Sequence, residues 1–181
     1  MVVLRQPGAT MTEIANWFER KFTFAFPAEL YPNICVRLRG TPARLEEMAR
    51  GQARELLVRK PGQKWSAQEH AGHLLDLEPL WLARLEDYVA GASELHVADL
   101  SNRKTDEANH NGREIEEILA EFRKARIRLV DRVEGLDAAL FSRCIPHPRL
   151  HQPMRLVDHL YFVAEHDDHH MAKIWEAVTQ S

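Results

Sequence analysis

The sequence predicts an all-α protein, a four-helix bundle whose helices run up, down, down and up. Apolar residues recur at three-and-four spacing over several long stretches, which is typical of amphipathic helices. No alternating run of β-branched residues and no Asn-Gly turn indicates a sheet, so we expect none. The polar segment 92–111 lacks periodicity and is long enough to be a crossover between the second and third helices of the bundle.

The length and composition favour one globular domain. The chain has 181 residues, of which 45% are hydrophobic and 28% charged, so it can bury a core without disulfides. We expect a single domain over residues 1–181, with 1–27 as an N-terminal extension. The formal net charge of −3, without a Lys/Arg cluster, argues against a nucleic-acid partner.

The lack of a recognisable targeting signal and the spacing of the cysteines predict a cytoplasmic protein. No apolar run approaches the roughly 18 residues that span a bilayer, so no membrane partner is expected. The segment Met1 to Thr10 lacks the basic-then-apolar order of a secretion signal. Cys35 and Cys144 match no zinc or redox spacing, and free thiols suit a reducing compartment.

The first helix of the bundle is predicted as a kinked arm. Residues 29–39 and 42–49 both have helical patterns, and Gly40 separates them. We expect Thr41 to cap the second part, with Pro42 at its first helical position. An additional N-terminal helix is predicted over residues 11–22 because four apolar residues share one face: Ile14, Trp17, Phe18 and Phe22.

The second helix has the clearest boundaries. Ser66 and Glu69 have the spacing of a capping box, and Gly91 ends the helix. Between them the apolar residues keep a helical period: Leu74, Leu77, Trp81, Leu85 and Tyr88.

Two more helices complete the bundle. The third is predicted from Gly112 to Gly135, with a Glu/Lys/Arg-rich face that we expect to be solvated. The last is predicted from Pro153 to about Val178. The connection 136–152 between them contains two prolines that exclude continuous helix.

The ten histidines are the most informative residues, and six of them follow Pro146. His166 and His170 lie four apart on the inward stripe of the last helix, which is the spacing of two ligands of one metal ion. Burying them without partners costs several kcal/mol, so either each is hydrogen-bonded or they share a metal. His73 lies on the inward stripe of the second helix and is a third candidate ligand, or a buried histidine with a hydrogen bond.

The depths of these histidines test the topology. At about 1.5 Å per residue, His73 lies roughly 10 Å from the start of its helix, and His170 and His166 lie roughly 12 and 18 Å from the end of theirs. Antiparallel packing of the two helices therefore brings the three side chains to a similar depth. An up-down-up-down bundle would make these helices parallel, whereas an up-down-down-up bundle makes them antiparallel and needs the crossover at 92–111.

Three short motifs resemble the DinB-like family of four-helix bundles. Trp65 to Leu74 (WSAQEHAGHL) resembles the second helix of that family, and Ala164 to His170 with the following Lys173-Ile174 resembles its last helix. Arg39 to Pro42 resembles the break in its first helix. The resemblance covers roughly residues 28–178.

The resemblance implies a crossover bundle in which three histidines hold one divalent metal, with zinc or nickel expected. Position by position, the implied ligands are His73, His166 and His170. DinB-like relatives include thiol S-transferases, maleylpyruvate isomerases and proteins described as hydrolases. We therefore expect a small-molecule substrate and, for S-transfer, a low-molecular-weight thiol.

The other histidines receive separate interpretations. We expect His70 nearer the mouth of the site, where it could contact substrate, and His169 at a neighbouring helix or the rim. His159 is interpreted as buried or hydrogen-bonded behind the ligands. The remaining four lie in predicted loops and are interpreted as solvated: His96, His110, His147 and His151.

Three imidazoles leave a divalent ion with open positions, which favours chemistry over a closed structural site. Candidate carboxylates for acid/base chemistry, none of which we assign a catalytic role, are Glu69, Asp76, Glu78, Glu165 and Asp167. Asp76 and Glu165 could instead fix imidazole tautomers. The His166-Asp167-x-x-His170 spacing mimics a zinc-protease motif but has a shorter acid and no third ligand downstream.

Three functions therefore stay open: a metal-dependent enzyme for thiol S-transfer or hydrolysis, a non-catalytic metal-binding or stress-response protein, and an interaction module with structural histidines. We favour the enzyme. The resemblance and the tryptophans Trp17, Trp81 and Trp175 also suggest a homodimer, although core packing explains these tryptophans equally well.

Overall fold

The computed structural model describes residues 14–179. Within that range the chain forms six α-helices and one β-hairpin. The helices are α1 Tyr31–Ala49, α2 Arg54–Val58, α3 Ala67–Ala90, α4 Arg103–Glu107, α5 Ile115–Glu134 and α6 Leu156–Thr179. The strands are β1 Cys144–His147 and β2 Gln152–Arg155. No described helix is both long enough and apolar enough to cross a membrane.

Four long helices, α1, α3, α5 and α6, form the bundle, in which α1 and α3 each pack against both α5 and α6. Ion pairs give the directions of α3 and α5. Glu78 of α3 pairs with Arg126 of α5, and further along both helices Glu86 pairs with Arg132. The two helices are therefore parallel.

Contacts at two positions along each helix also give the relative directions of the other helix pairs. Arg39 of α1 pairs with Asp131 of α5, and Glu46 further along α1 pairs with Arg123 earlier in α5, so α1 and α5 are antiparallel. The rings of His73 and Trp81 on α3 contact His170 and His159 of α6 respectively, so α3 and α6 are antiparallel. The order is up, down, down, up, and the crossover at 92–111 is confirmed.

Helix α3 begins and ends at the residues that the sequence predicts. The Ser66 hydroxyl accepts from the Glu69 amide at 3.1 Å, and the Glu69 carboxylate accepts from the Ser66 amide at 2.8 Å. Gly91 ends the helix in the left-handed region, with φ of 69°. Such a conformation suits a residue without Cβ.

Helix α1 is one continuous helix, so the predicted break between 29–39 and 42–49, with Thr41 as the cap of a second segment, is wrong. Pro42 lies inside the helix, and the Thr41 hydroxyl donates to Asp167 of α6 at 3.0 Å rather than capping a second segment. Proline removes a single hydrogen bond from a helix interior. Buried Leu38 and Leu45 on either side hold the segment against the bundle and keep it helical.

The β-hairpin contradicts the expectation that the chain forms no sheet. β1 and β2 are antiparallel, and Pro146 lies opposite Pro153. Strands of four residues that contain proline lack the alternating pattern from which strands are predicted. The hairpin closes one end of the bundle, where Ile145 and Met154 enter the core.

The predicted N-terminal helix is also wrong over residues 14–22, and residues 11–13 lie outside the described range. Only Trp17–Glu19 form a single 3-10 turn, capped by the Asn16 side chain. Three phenylalanines then alternate along the chain at positions 22, 24 and 26 and pack against the rings of α6. This period of two fits an extended segment rather than a helix.

The core consists of two apolar clusters separated by one polar layer. Each bundle helix contributes one buried residue to this layer: Thr41, Glu78, Arg126 and Asp167. The Arg126 guanidinium is fully buried and donates to both carboxylates, while Thr41 donates to Asp167. We call these four residues the polar core layer.

Candidate metal centre

The antiparallel packing of α3 and α6 brings three predicted ligands together. His73, His166 and His170 each offer one ring nitrogen, and these three atoms all lie within 4.8 Å of one another. All three side chains are buried. The Nε2 atoms of His166 and His170 are 3.2 Å apart. The residues thus form one compact group, which we call the histidine cluster.

The orientation of His73 is set by the crossover. Its Nδ1 lies 2.9 Å from the Thr105 hydroxyl of α4, and that hydroxyl lies 2.9 Å from the Asp76 carboxylate. A carboxylate only accepts, so the hydroxyl donates its proton to Asp76 and accepts one from His73. Nδ1 of His73 therefore carries the proton, and Nε2 keeps its lone pair.

A buried histidine supports this arrangement by contacting the same oxygen of Asp76 as Thr105 does. Nε2 of His110 lies 2.8 Å from the Asp76 carboxylate. The ring packs so closely on α3 that a Cβ on Gly72 would lie 2.2 Å from it. Gln68 donates to the His110 carbonyl at 2.6 Å and fixes the same segment. Gly72 therefore allows the crossover to approach α3 closely beside the histidine cluster.

His170 is oriented by a second histidine. Its Nδ1 lies 2.9 Å from Nδ1 of His70, so one of these two atoms donates to the other. When His170 donates here, its Nε2 is left unprotonated. Nδ1 of His166 is buried without a hydrogen-bond partner among the described residues.

The histidine cluster is neutral near pH 7. Burial lowers the pKa of His73 to about 4 and lowers the pKa values of His166 and His170 well below 6.5. For His170 the neighbouring histidines add to the effect of burial. Neutral imidazole is the form that binds metal ions, so the cluster is ready to act as a ligand set.

These atoms fit one divalent ion. Zinc–nitrogen bonds are about 2.0–2.1 Å, so nitrogens at tetrahedral angles on one ion lie about 3.4 Å apart. The three nitrogens here lie within 4.8 Å of one another, so each has to move by less than about 1 Å to meet one ion. Without a cation, two unprotonated Nε2 atoms at 3.2 Å would repel each other.

The histidine cluster lies in the wall of a cavity with a volume of about 630 Å³. Much of its remaining wall is aromatic: Trp17, Phe18, Trp65, Trp81 and Phe162. The N-terminal segment contributes to this wall, because the Trp17 ring lies 5.0 Å from that of His166. The cavity therefore offers a small molecule an apolar space that opens onto three imidazoles.

Several of the remaining histidines differ from their predicted roles. His110 and His147 are buried, so the interpretation of both as solvated is wrong. The loop containing His110 packs on α3, and His147 lies in the hairpin, neither of which periodicity reveals. His159 is buried as predicted, but neither of its ring nitrogens has a hydrogen-bond partner among the described residues. His70 and His169 both line the cavity.

The five candidate carboxylates serve other roles in the structure. Asp76 orients His73 through Thr105, as one of the two sequence-based interpretations predicted. Glu165 instead pairs with Arg20 and Arg37. The others belong to the α3 cap (Glu69) and the polar core layer (Glu78 and Asp167).

Sequence comparison decides the family. The family model of the DinB superfamily matches residues 37–174, which contain all three histidines of the cluster. The chain belongs to the DinB superfamily. Among curated proteins, none matches the chain.

Comparison with solved structures agrees on the fold of this DinB-superfamily protein. It is similar to YfiT from Bacillus subtilis, with a TM-score of 0.75 and 19% identity over 88% of this chain and 91% of that one. YfiT is described as a probable metal-dependent hydrolase with an unusual four-helix bundle topology. At this identity the likeness shows the fold alone.

Proposed function

We propose that this DinB-superfamily protein is a metal-dependent enzyme that acts on a small molecule in the cavity. His73, His166 and His170 would hold one divalent ion, zinc or nickel. Such an ion with open positions lowers the pKa of a water or thiol and polarises a carbonyl. Hydrolysis and transfer of a low-molecular-weight thiol both use that chemistry.

The convergence of three neutral, buried imidazoles at the cavity wall carries the proposal. If these histidines were purely structural, each ring would be expected to bond to groups outside the cluster. The Nε2 atoms of His166 and His170 instead face each other at 3.2 Å. The interaction-module hypothesis gives no reason for this convergence of three rings beside a cavity.

The residues around the histidine cluster have two tasks. Asp76 and Thr105 hold the proton on Nδ1 of His73, and His70 provides a partner for Nδ1 of His170. The aromatic walls exclude water from the space beside the cluster, which strengthens electrostatic interactions there. The cavity of about 630 Å³ favours an enzyme over a protein that only stores metal.

Metal analysis of untagged protein tests the ligand set. We expect about one equivalent of divalent metal in the parent and loss of it in His73→Ala, His166→Ala and His170→Ala. His151→Asn is the matched control, because His151 is exposed and has a φ of 50° that asparagine tolerates. Circular dichroism confirms folding of each variant. Metal retained by folded His73→Ala would contradict the assignment.

A pair of assays separates the two reactions. The metal-loaded protein is given p-nitrophenyl acetate for hydrolysis, and 1-chloro-2,4-dinitrobenzene with and without glutathione for S-transfer. Thiol-dependent arylation supports transfer, whereas ester cleavage independent of thiol supports hydrolysis. Either rate should disappear in His166→Ala. A rate that persists in the folded variant would show that the histidine cluster is not its source.

A homodimer is also part of the proposal, and among the three tryptophans only Trp175 is available to it. Trp17 and Trp81 are buried within the chain and are not available to a dimer face, while Trp175 is exposed. The burial of Trp17 and Trp81 agrees with the interpretation that these tryptophans pack in the core. The solution mass from light scattering tests the dimer, and a monomer would reject it.

A further inference from the structure

The cavity carries positive charge although the whole chain is acidic. Its charged lining residues are four cations, Lys64, Arg84, Arg149 and Lys173, and one carboxylate, Asp99. The formal net charge of the chain is −3. Asp99 is exposed and already accepts hydrogen bonds from the amide and hydroxyl of Ser101. The balance of charge thus favours an anionic ligand.

Arg84 is the most unusual of these cations, because it is buried without a carboxylate. Its Nε donates to the His96 carbonyl at 2.8 Å, and its Nη1 lies 3.1 Å from Nε2 of His147. Among the described residues no carboxylate lies within ion-pair distance of it, and nearby Asp87 pairs with His96 instead. A buried guanidinium normally pairs with an anion. Arg126 in the polar core layer does so with two.

Arg149 lines the same cavity as Arg84, and both residues contact His147. Its Nη2 is buried and has no hydrogen-bond partner among the described residues. The guanidinium lies over the rings of Phe18 and Phe162, each 5.5 Å from its carbon. Burial lowers its pKa, and burial together with Arg149 lowers the pKa of Arg84 to about 10. Both side chains stay charged at pH 7.

We propose that Arg84 and Arg149 form a carboxylate-binding subsite, so the substrate of the proposed enzyme is a carboxylic acid with an apolar body. The proposal rests on the proposed function and adds the substrate class to it. Nη2 of each arginine is not used in any hydrogen bond between described residues, and two donors suit the two oxygens of a carboxylate. The aromatic walls between this subsite and the histidine cluster suit the apolar body.

Binding of probe molecules to the metal-free protein tests the subsite. The probes are 4-phenylbutyrate, the neutral 4-phenyl-1-butanol and 3-phenylpropyl phosphate, followed by amide NMR shifts. We expect the carboxylate to bind at least tenfold more tightly than the alcohol. Equal affinities, or no binding of the carboxylate, would overturn the proposal. Tighter binding of the phosphate would replace carboxylate by phosphate as the ligand class.

Variants test whether Arg84 and Arg149 cause the preference for carboxylate over alcohol. Arg149→Gln should remove the preference for carboxylate over alcohol, whereas Arg128→Gln, which removes an exposed charge on α5, should keep it. Arg84→Lys keeps the charge but loses the planar donors, and we expect it to weaken carboxylate binding severalfold. A preference that survives in Arg149→Gln and in folded Arg84→Lys would contradict the assignment.

Metal titration of the same proteins separates the two proposals. Arg149→Gln should bind metal as the parent does, because its guanidinium is not part of the histidine cluster. Carboxylate selectivity without metal binding would support the subsite but reject the proposed metal enzyme. Metal binding without carboxylate selectivity would reject the subsite alone.

Discussion

Two buried polar regions lie on either side of α6, and they differ in how their groups are paired. In the polar core layer, the buried guanidinium of Arg126 pairs with carboxylates on two helices, and only Oε2 of Glu78 among the described atoms of this layer has no hydrogen-bond partner. In the cavity, Arg84 lacks a carboxylate, and both Arg149 and His166 have a buried nitrogen without a partner among the described residues. Paired groups hold the helices together. Unpaired groups beside a cavity are available to a ligand.

The two regions also differ in how the cost of burying titratable side chains is reduced. In the polar core layer, the two carboxylates offset the desolvation of Arg126, whereas burial outweighs the effect of Arg126 on Glu78 and raises the pKa of that carboxyl to about 7. In the cavity, the histidines avoid the cost by remaining neutral, since burial lowers their pKa values. The predictions that follow disturb each region in turn.

Removing the cation from the polar core layer should have the largest effect on stability. Arg126→Met leaves Glu78 and Asp167 buried together without their partner, and we expect a loss of about 3–5 kcal/mol in the free energy of unfolding. Urea denaturation measures it. Arg132→Met, on the same helix, breaks an exposed pair and should cost about 1 kcal/mol or less. Equal losses in the two variants would contradict the distinction between the regions.

His159 should make stability depend on pH. Burial, followed by the charges of Arg84 and His147, lowers its pKa well below 6.5. As the pH falls below 6.5, the unfolded state binds a proton that the folded state does not, so stability present at neutral pH is lost. His159→Phe removes this titration and should flatten the slope of unfolding free energy below pH 6 by up to about 1.4 kcal/mol per pH unit.

Denaturation of metal-free parent and variant at several pH values measures that difference. The ring of His159 contacts Trp81 and Tyr88, so phenylalanine keeps the aromatic packing. Unchanged slopes would show that His159 is protonated in the folded protein.

The link between the crossover and the histidine cluster should affect metal binding rather than folding. Thr105→Val removes the hydroxyl that joins His73 to Asp76, and we expect metal affinity to fall about 10–100-fold. Thr105→Ser keeps the hydroxyl and should restore most of the affinity. Competition with a chromophoric chelator measures both variants. Equal affinities for the valine and serine variants would reject the role of Thr105.

Much of the bundle and its histidine cluster could be predicted because the signals are local and periodic. The Ser66–Glu69 capping box and the period of α3 located one helix, and helical rise placed His73 level with His166 and His170. The up-down-down-up order followed from those depths and the length of the crossover. These inferences need only regular helix geometry.

The predictions that failed concern features that depend on contacts between distant segments of the chain. Thr105 and His110 lie in a polar segment without periodicity, and only its packing on α3 reveals their roles. One signal was present: Gly72 in a helix interior is costly unless something packs closely against it. Likewise, spacing says nothing about which groups Arg84 and Arg126 contact, because their partners come from other elements.

Anomalous diffraction from crystals grown with zinc tests the central claim most directly. The account predicts one anomalous peak in the wall of the cavity, about 2.0–2.2 Å from one nitrogen each of His73, His166 and His170. A peak bound by other residues, or no peak beside these three imidazoles at saturating zinc, would contradict it.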